Sequence, residues 1–250
     1  MSNEIQKSNS GIQKTSTKKG IISNGMLAGL QASLGQVVLP RMFNQLVLFV
    51  LDGSGSMFGD GISGKSKGFE VHSSVINVLE RLKQSKNKNS FDIGAIAFAE
   101  ESLEFYPIQN LDKINLNKDC FNPCEYLKNR SNTLLSHSLE KTNQIAIEYL
   151  EKNRNSNSKV IVIIVGDGAI ADFDSSVLIR KQVENHENIT YSTILLETPE
   201  WQENYADDLE IIRDEFKSLA SDGAFYLSTI DPEEIRKHMI KSITKLSKLL

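Results

Sequence analysis

The stretch Leu46-Val47-Leu48-Phe49-Val50-Leu51-Asp52-Gly53-Ser54-Gly55-Ser56 decides the fold. Six apolar residues without a polar break do not fit a strand with one wet face, which would alternate. The run is also too short for a core helix, and it ends abruptly in an acid, glycines and serines. Val160-Ile161-Val162-Ile163-Ile164-Val165 repeats the pattern, with Gly166-Asp167-Gly168 after it. Both runs read as strands covered on both faces, at the centre of a parallel sheet.

Working outward, residues 91–99 and 189–196 read as two more strands, and 102–106 and 224–228 as shorter edge strands. The short link from Ala99 to Ser102 predicts a hairpin, so the third strand should run antiparallel at an edge. Helical stripes fill the gaps: Val71, Val75, Val78, Leu79 and Leu82; then Leu135, Leu139, Ala146, Tyr149 and Leu150; then Leu209, Ile212, Phe216 and Leu219. A weaker helix is expected over 176–185. The last helix opens with Asp231 as N-cap and Pro232 behind it, and Glu233 and Glu234 favour the positive end of the helix dipole. Its stripe is Ile235, Met239, Ile243, Leu246 and Leu250. The order β-α-β-β-α-β-α-β-α-β-α predicts a Rossmann-like, doubly wound α/β domain. Its six-stranded sheet is mostly parallel, with helices on both faces.

The expected domain spans 44–250. Residues 1–43 read as a flexible tail, because the first 24 or so offer almost nothing to bury. Leu27, Leu30, Leu34 and Val37 lie at helical spacing before Pro40, so a short helix is expected over 26–39. That helix would cap the neighbouring domain or dock on a partner. Lys and Arg number 28 and Asp and Glu 32, a formal charge of −4, which argues against a nucleic-acid binder. No apolar run approaches the roughly 20 residues that span a bilayer, and no secretory signal is visible. Two cysteines, Cys120 and Cys124, exclude a disulfide-built fold, so a reducing cytoplasm is the expected compartment.

In such sheets ligands bind beyond the carboxyl ends of the strands, where strand order reverses. Asp52 and Asp167 both follow the strands expected at the centre, and two carboxylates meeting there repel unless a cation or proton lies between them. Ser54 and Ser56 add hydroxyls at alternate positions. An all-oxygen set with few carboxylates suits a hard ion that keeps some waters, such as Mg²⁺ or Mn²⁺.

Asp52-x-Ser54-x-Ser56 after an apolar strand, a threonine before the central helix and an Asp-Gly after another apolar strand resemble a von Willebrand factor A domain. The resemblance covers residues 46–250. It implies a metal-ion-dependent adhesion site in which Ser54 and Ser56 bind the metal directly. Thr133, in Arg130-Ser131-Asn132-Thr133, would bind directly or through water, and Asp52 and Asp167 would hold coordinating waters and balance charge. A partner's Glu or Asp would fill the open position. Gly166 stands where the family often has Thr or Ser, and Ser131-Asn132 where it often has Gly-Gly. The compact build and the segment 216–226 resemble the TerY-like bacterial branch. That likeness implies a cytoplasmic stress-response, tellurium-resistance or defence assembly, with a kinase or phosphatase as partner. An aromatic rim of Phe58, Phe173, Trp201 and Tyr205 is expected around the site.

An enzyme is the rival reading. A haloacid-dehalogenase-type phosphotransferase needs a second acid two residues after Asp52, and Ser54 is there instead. Gly59-Asp60-Gly61-Ile62-Ser63-Gly64-Lys65-Ser66 matches a P-loop letter for letter, but no strand directly precedes it. A rim loop is the expected reading. The serine-elbow pattern fails around Ser54. His72, His137, His186 and His238 form no local ligand pattern, and Cys120 and Cys124 lack a second pair for zinc. The expectation is a non-catalytic, metal-dependent binding module, with a metal-independent adaptor as the alternative.

Overall fold

A computed structural model describes residues 43–247; the expected tail, except Phe43, and the expected helix over 26–39 lie outside them. One six-stranded sheet organises the domain, in the order β3-β2-β1-β4-β5-β6. The strands are β1 (Phe43–Asp52), β2 (Phe91–Phe98), β3 (Ser102–Asn110), β4 (Asn157–Gly166), β5 (Ile189–Leu196) and β6 (Tyr226–Thr229). The two unbroken apolar runs are neighbours at its centre, paired in parallel from Phe43↔Asn157 to Leu51↔Val165. Every strand pair is parallel except β2–β3, the antiparallel edge. The sequence of crossings reverses direction between β1 and β4, so their carboxyl ends form the crevice expected to carry function.

Among the described residues six helices cover the sheet: α1 (Lys67–Lys83), α2 (Ser136–Lys152), α3 (Phe173–Lys181), α4 (Pro199–Asn204), α5 (Ala206–Leu219) and α6 (Pro232–Ser247). Alternate residues of the central strands feed two cores. Val47, Phe49 and Leu51 join Val71 and Val75 of α1 and Ile235 and Met239 of α6. Leu46, Leu48 and Val50 join Leu139 of α2, Ile179 of α3 and Ile212 and Phe216 of α5. Both faces are therefore dry, which is why no polar residue interrupts the two runs. At the start of α6 the Glu233 N–H donates to Asp231 Oδ1 at 2.8 Å, the expected cap.

Four elements differ from the expectation. β3 extends to Asn110 through Pro107, because an edge strand tolerates a missing N–H; its register with β2 slips next to that proline. The third helix lies over Phe173–Lys181 rather than 176–185. Residues 223–225 form a 3-10 turn, so β6 begins at Tyr226. The short helix α4 was not expected; Thr198 caps it, accepting from the Trp201 N–H at 3.3 Å.

Candidate metal centre

Three loops converge beyond β1 and β4, and backbone hydrogen bonds tie them together. The Gly53 N–H donates to Phe98 O (2.8 Å) and Gly55 N–H to Arg130 O (2.9 Å), joining the first loop to β2 and the loop before α2. The Leu134 N–H donates to Ala99 O and the Ala171 N–H to Thr133 O, both at 2.9 Å. Asp172, after β4, accepts from the Leu135 and Ser136 N–H groups at 2.8 and 3.0 Å and so caps α2 from outside. Burial opposes ionisation of Asp172, but the Ser136 hydroxyl, these two N–H groups and the Ser176 hydroxyl outweigh it and hold its carboxyl below the usual range.

The first loop turns straight out of β1 into a 3-10 turn, Gly55–Phe58, pinned by the fully buried Met57. Asp52 Oδ1 accepts from the Ser54 N–H at 2.7 Å. From there a relay of oxygens crosses the crevice. Ser54 Oγ lies 2.9 Å from Ser56 Oγ, and Ser56 Oγ donates to Asp167 Oδ1 at 2.7 Å. Thus four of the five residues expected at the site meet there. Thr133 is half-buried on the adjoining loop, placed by its carbonyl bond to Ala171.

Asp52 is 1% exposed, and its Oδ2 has no hydrogen-bond partner among the described residues. Burial, and then the charge of Asp167, push its carboxyl up to about 7. A buried carboxylate oxygen left without a donor, beside three further hydroxyl and carboxylate oxygens, is the donor chemistry of a hard cation. A Cβ at Gly166 would stand 3.2 Å from that same oxygen and 3.0 Å from the Phe216 ring, which accounts for glycine where a hydroxyl residue was expected by resemblance.

Sequence reasoning missed Lys67. Its Nζ donates to Asp167 Oδ2 at 2.5 Å, in a pair whose side chains are 10% and 0% exposed. Nothing local in the sequence connects residues 100 positions apart. The preceding loop, which matches the P-loop pattern, closes through an Asp60–Ser66 bridge and wraps a carboxylate of its own chain. The Ser63 N–H donates to Glu70 Oε1 at 2.7 Å, and the Glu70 carboxylate fills the space a Cβ of Gly61 would take. In this loop the chain's own carboxylate stands where a P-loop would hold phosphate.

Of the four expected rim aromatics, Phe58 (48%) and Tyr205 (51%) are exposed. Phe173 and Trp201 are half-buried against the core beneath α3 and α5. Arg130 stands over the Phe58 ring at 4.5 Å, and the Trp201 and Tyr205 rings lie 5.8 Å apart.

The sequence model of the von Willebrand factor type A domain matches residues 47–235. The chain belongs to that family. Among solved structures, this von Willebrand A domain is similar to the D319A mutant of the PilB minor pilin from Streptococcus sanguinis, with TM-score 0.59 and 12% identity over 84% of this chain and 62% of that one. It is also similar to the pilus adhesin SpaC from Lactobacillus rhamnosus GG, with TM-score 0.63 and 12% identity over 83% of this chain and 31% of that one. BatB from Bacteroides thetaiotaomicron matches along its whole length, 100%, with TM-score 0.54 and 16% identity over 82% of this chain. The chain thus spans less than two thirds of the pilin and under a third of the adhesin. No curated protein sequence matches. At these identities the likeness is one of fold. Von Willebrand A domains are in general protein-interaction modules, and no described helix is long and apolar enough to cross a membrane.

Proposed function

We propose that this von Willebrand A domain is a non-catalytic, divalent-metal-dependent protein-binding module. Ser54, Ser56 and Thr133 would hold Mg²⁺ or Mn²⁺ through hydroxyls, with Asp52 and Asp167 acting directly or through water. The observation that carries this reading is Asp52 Oδ2, buried without a donor at the end of the Ser54–Ser56–Asp167 relay. A bound ion would supply one exchangeable position for a partner's Glu or Asp carboxylate. The exposed rings of Phe58 and Tyr205 would line that contact, Phe58 held by Arg130. Asp52 is sealed from solvent and both Asp167 oxygens already accept hydrogen bonds, so neither carboxylate is free to serve as a general base.

The narrower placement in a cytoplasmic stress, tellurium-resistance or defence assembly, with a kinase or phosphatase as partner, rests on the likeness of the compact build and of the segment 216–226. A metal-independent adaptor is the second reading, favoured by the Lys67–Asp167 pair, which already supplies a positive charge. Calorimetry with Mg²⁺ and Mn²⁺ decides between them. One site, lost in Asp52→Ala and weakened in Thr133→Ala, is expected; equal binding by wild type and Asp52→Ala would sink the assignment. A pull-down with and without chelator should then lose its partner in chelator.

A further inference from the structure

Lys67 occupies a position that is unfavourable twice over. It is the first residue of α1, where a cation opposes the helix dipole, and it is 8% exposed, although lysines are seldom buried unless paired. Its partner explains the placement. Asp167 has both oxygens engaged, Oδ1 by the Ser56 hydroxyl and Oδ2 by the Lys67 ammonium, whereas Asp52 Oδ2 has no donor among the described residues. The crevice therefore treats its two strand-end carboxylates unequally: one is compensated by a cation of the chain, the other is not. With both acids ionised, the three charged groups sum to −1 with Lys67 and the two acids alone to −2.

Lys67 also has somewhere else to go. It lines a cavity of about 160 Å³ between the Asp60–Ser66 loop and the ends of β5 and β6. Three more acids line that cavity: Asp60, Glu70 and Glu197. Glu70 accepts from Ser63, and Glu197 from Arg213, Gln202 and Ser228. Glu197 is thereby paired with Arg213, so Asp60 and Glu70 are the acids left to receive an ammonium leaving Asp167, beside the apolar side chains of Leu196, Ile230 and Ile235.

We propose that Lys67 is the resident counter-cation of the site, released from Asp167 into the neighbouring acidic cavity when a divalent ion binds. This rests on the metal-binding reading above and adds a regulatory residue to it. The ammonium stabilises the metal-free domain and weakens its hold on the ion, so occupancy follows the available metal concentration instead of being permanent. Lys67 acts through Asp167 and touches neither metal nor partner.

The test compares wild type, Lys67→Met and Lys67→Arg, using Mg²⁺ and Mn²⁺ as probes. By calorimetry Lys67→Met should bind either ion roughly tenfold or more tightly, since a competing positive charge is gone. Lys67→Arg, which keeps the charge, should stay near wild type. In chelator Lys67→Met should melt lower than wild type, and Mg²⁺ should raise its melting temperature more than it raises that of wild type. A merely structural ion pair would also lower the melt but would not tighten metal binding. If Lys67→Met folds only with metal, it is purified in Mg²⁺ and its affinity read by competition with a chelating indicator. Equal or weaker binding by Lys67→Met, with wild type still binding, overturns the role of Lys67 and leaves the metal site standing. Binding by neither protein overturns the metal site and the displacement with it.

Discussion

Replacing Asp52 by asparagine should stabilise the metal-free domain increasingly as pH rises to neutrality and above, although it removes a carboxylate from the proposed metal site. The folded protein holds this carboxyl near pKa 7, whereas in the unfolded chain it titrates at 3.8. Between these values the folded state carries one proton more than the unfolded state, so stability falls as pH rises. The benefit of folding around the protonated acid is whole below pH 3.8, is lost progressively up to 7, and stays lost above it. From pH 5 to pH 7 the loss runs over two units at 1.36 kcal/mol each, about 3 kcal/mol in all. Asparagine keeps an acceptor for the Ser54 N–H and does not titrate, so its packing and hydrogen-bond differences are the same at every pH. The quantity to measure is therefore the melting temperature of Asp52→Asn minus that of wild type, in chelator, at pH 5 and pH 8. That difference should grow by about 6–12 °C between the two, at 2–4 °C per kcal/mol for a domain of this size. Subtraction removes the groups that titrate independently of Asp52, including His72 and His238, which burial holds below the ordinary imidazole value. Mg²⁺ at pH 8 should raise the wild-type melt and leave that of Asp52→Asn in place. Parallel pH profiles for the two proteins would refute the claim that Asp52 is buried at an electrostatic cost.

Trp201→Ala should destabilise the domain by about 2 kcal/mol, because the ring packs on the core, while Phe58→Ala should weaken partner binding with an unchanged melt. The reverse pattern would exchange their roles. ATP and GTP should not bind detectably, since Glu70 fills the Gly59–Ser66 loop; nucleotide binding abolished by Lys65→Ala would contradict this. Gly166→Ala should cost about 1 kcal/mol in a chemical melt, as its Cβ meets the buried Phe216 ring at 3.0 Å and Asp52 Oδ2 at 3.2 Å. An unchanged midpoint would show that Phe216 can yield.

The sheet centre was legible because burial on both faces leaves a run with no polar residue, as in β1 before Asp52 and in β4 before Gly166-Asp167. The reversal of strand order then located the crevice. What the residues did not show was structure set by a single local contact. α4 has six residues, no buried side chain and one capping threonine, too little to make a periodic stripe. β3 looked finished at Tyr106 because Pro107 usually ends a strand, and only its edge position lets it continue.

The polar partners of the site were harder still, for a different reason. Ser54 and Ser56 announce themselves by spacing, since one loop must present both hydroxyls. Asp172 and Lys67 act across 36 or 37 and 100 residues, and their roles exist only once the loops have met. The P-loop match even drew attention to the wrong lysine. Lys65 stands over the exposed Phe69 ring, whereas Lys67, two positions on and at the first turn of α1, reaches the buried carboxylate. A helix start selects against lysine and a buried position selects against it again, so its presence there implies a compensating charge. That inference needs the fold as its premise. The sequence can locate two acids at a crevice, but only the folded chain shows that one of them already has a cation and the other does not.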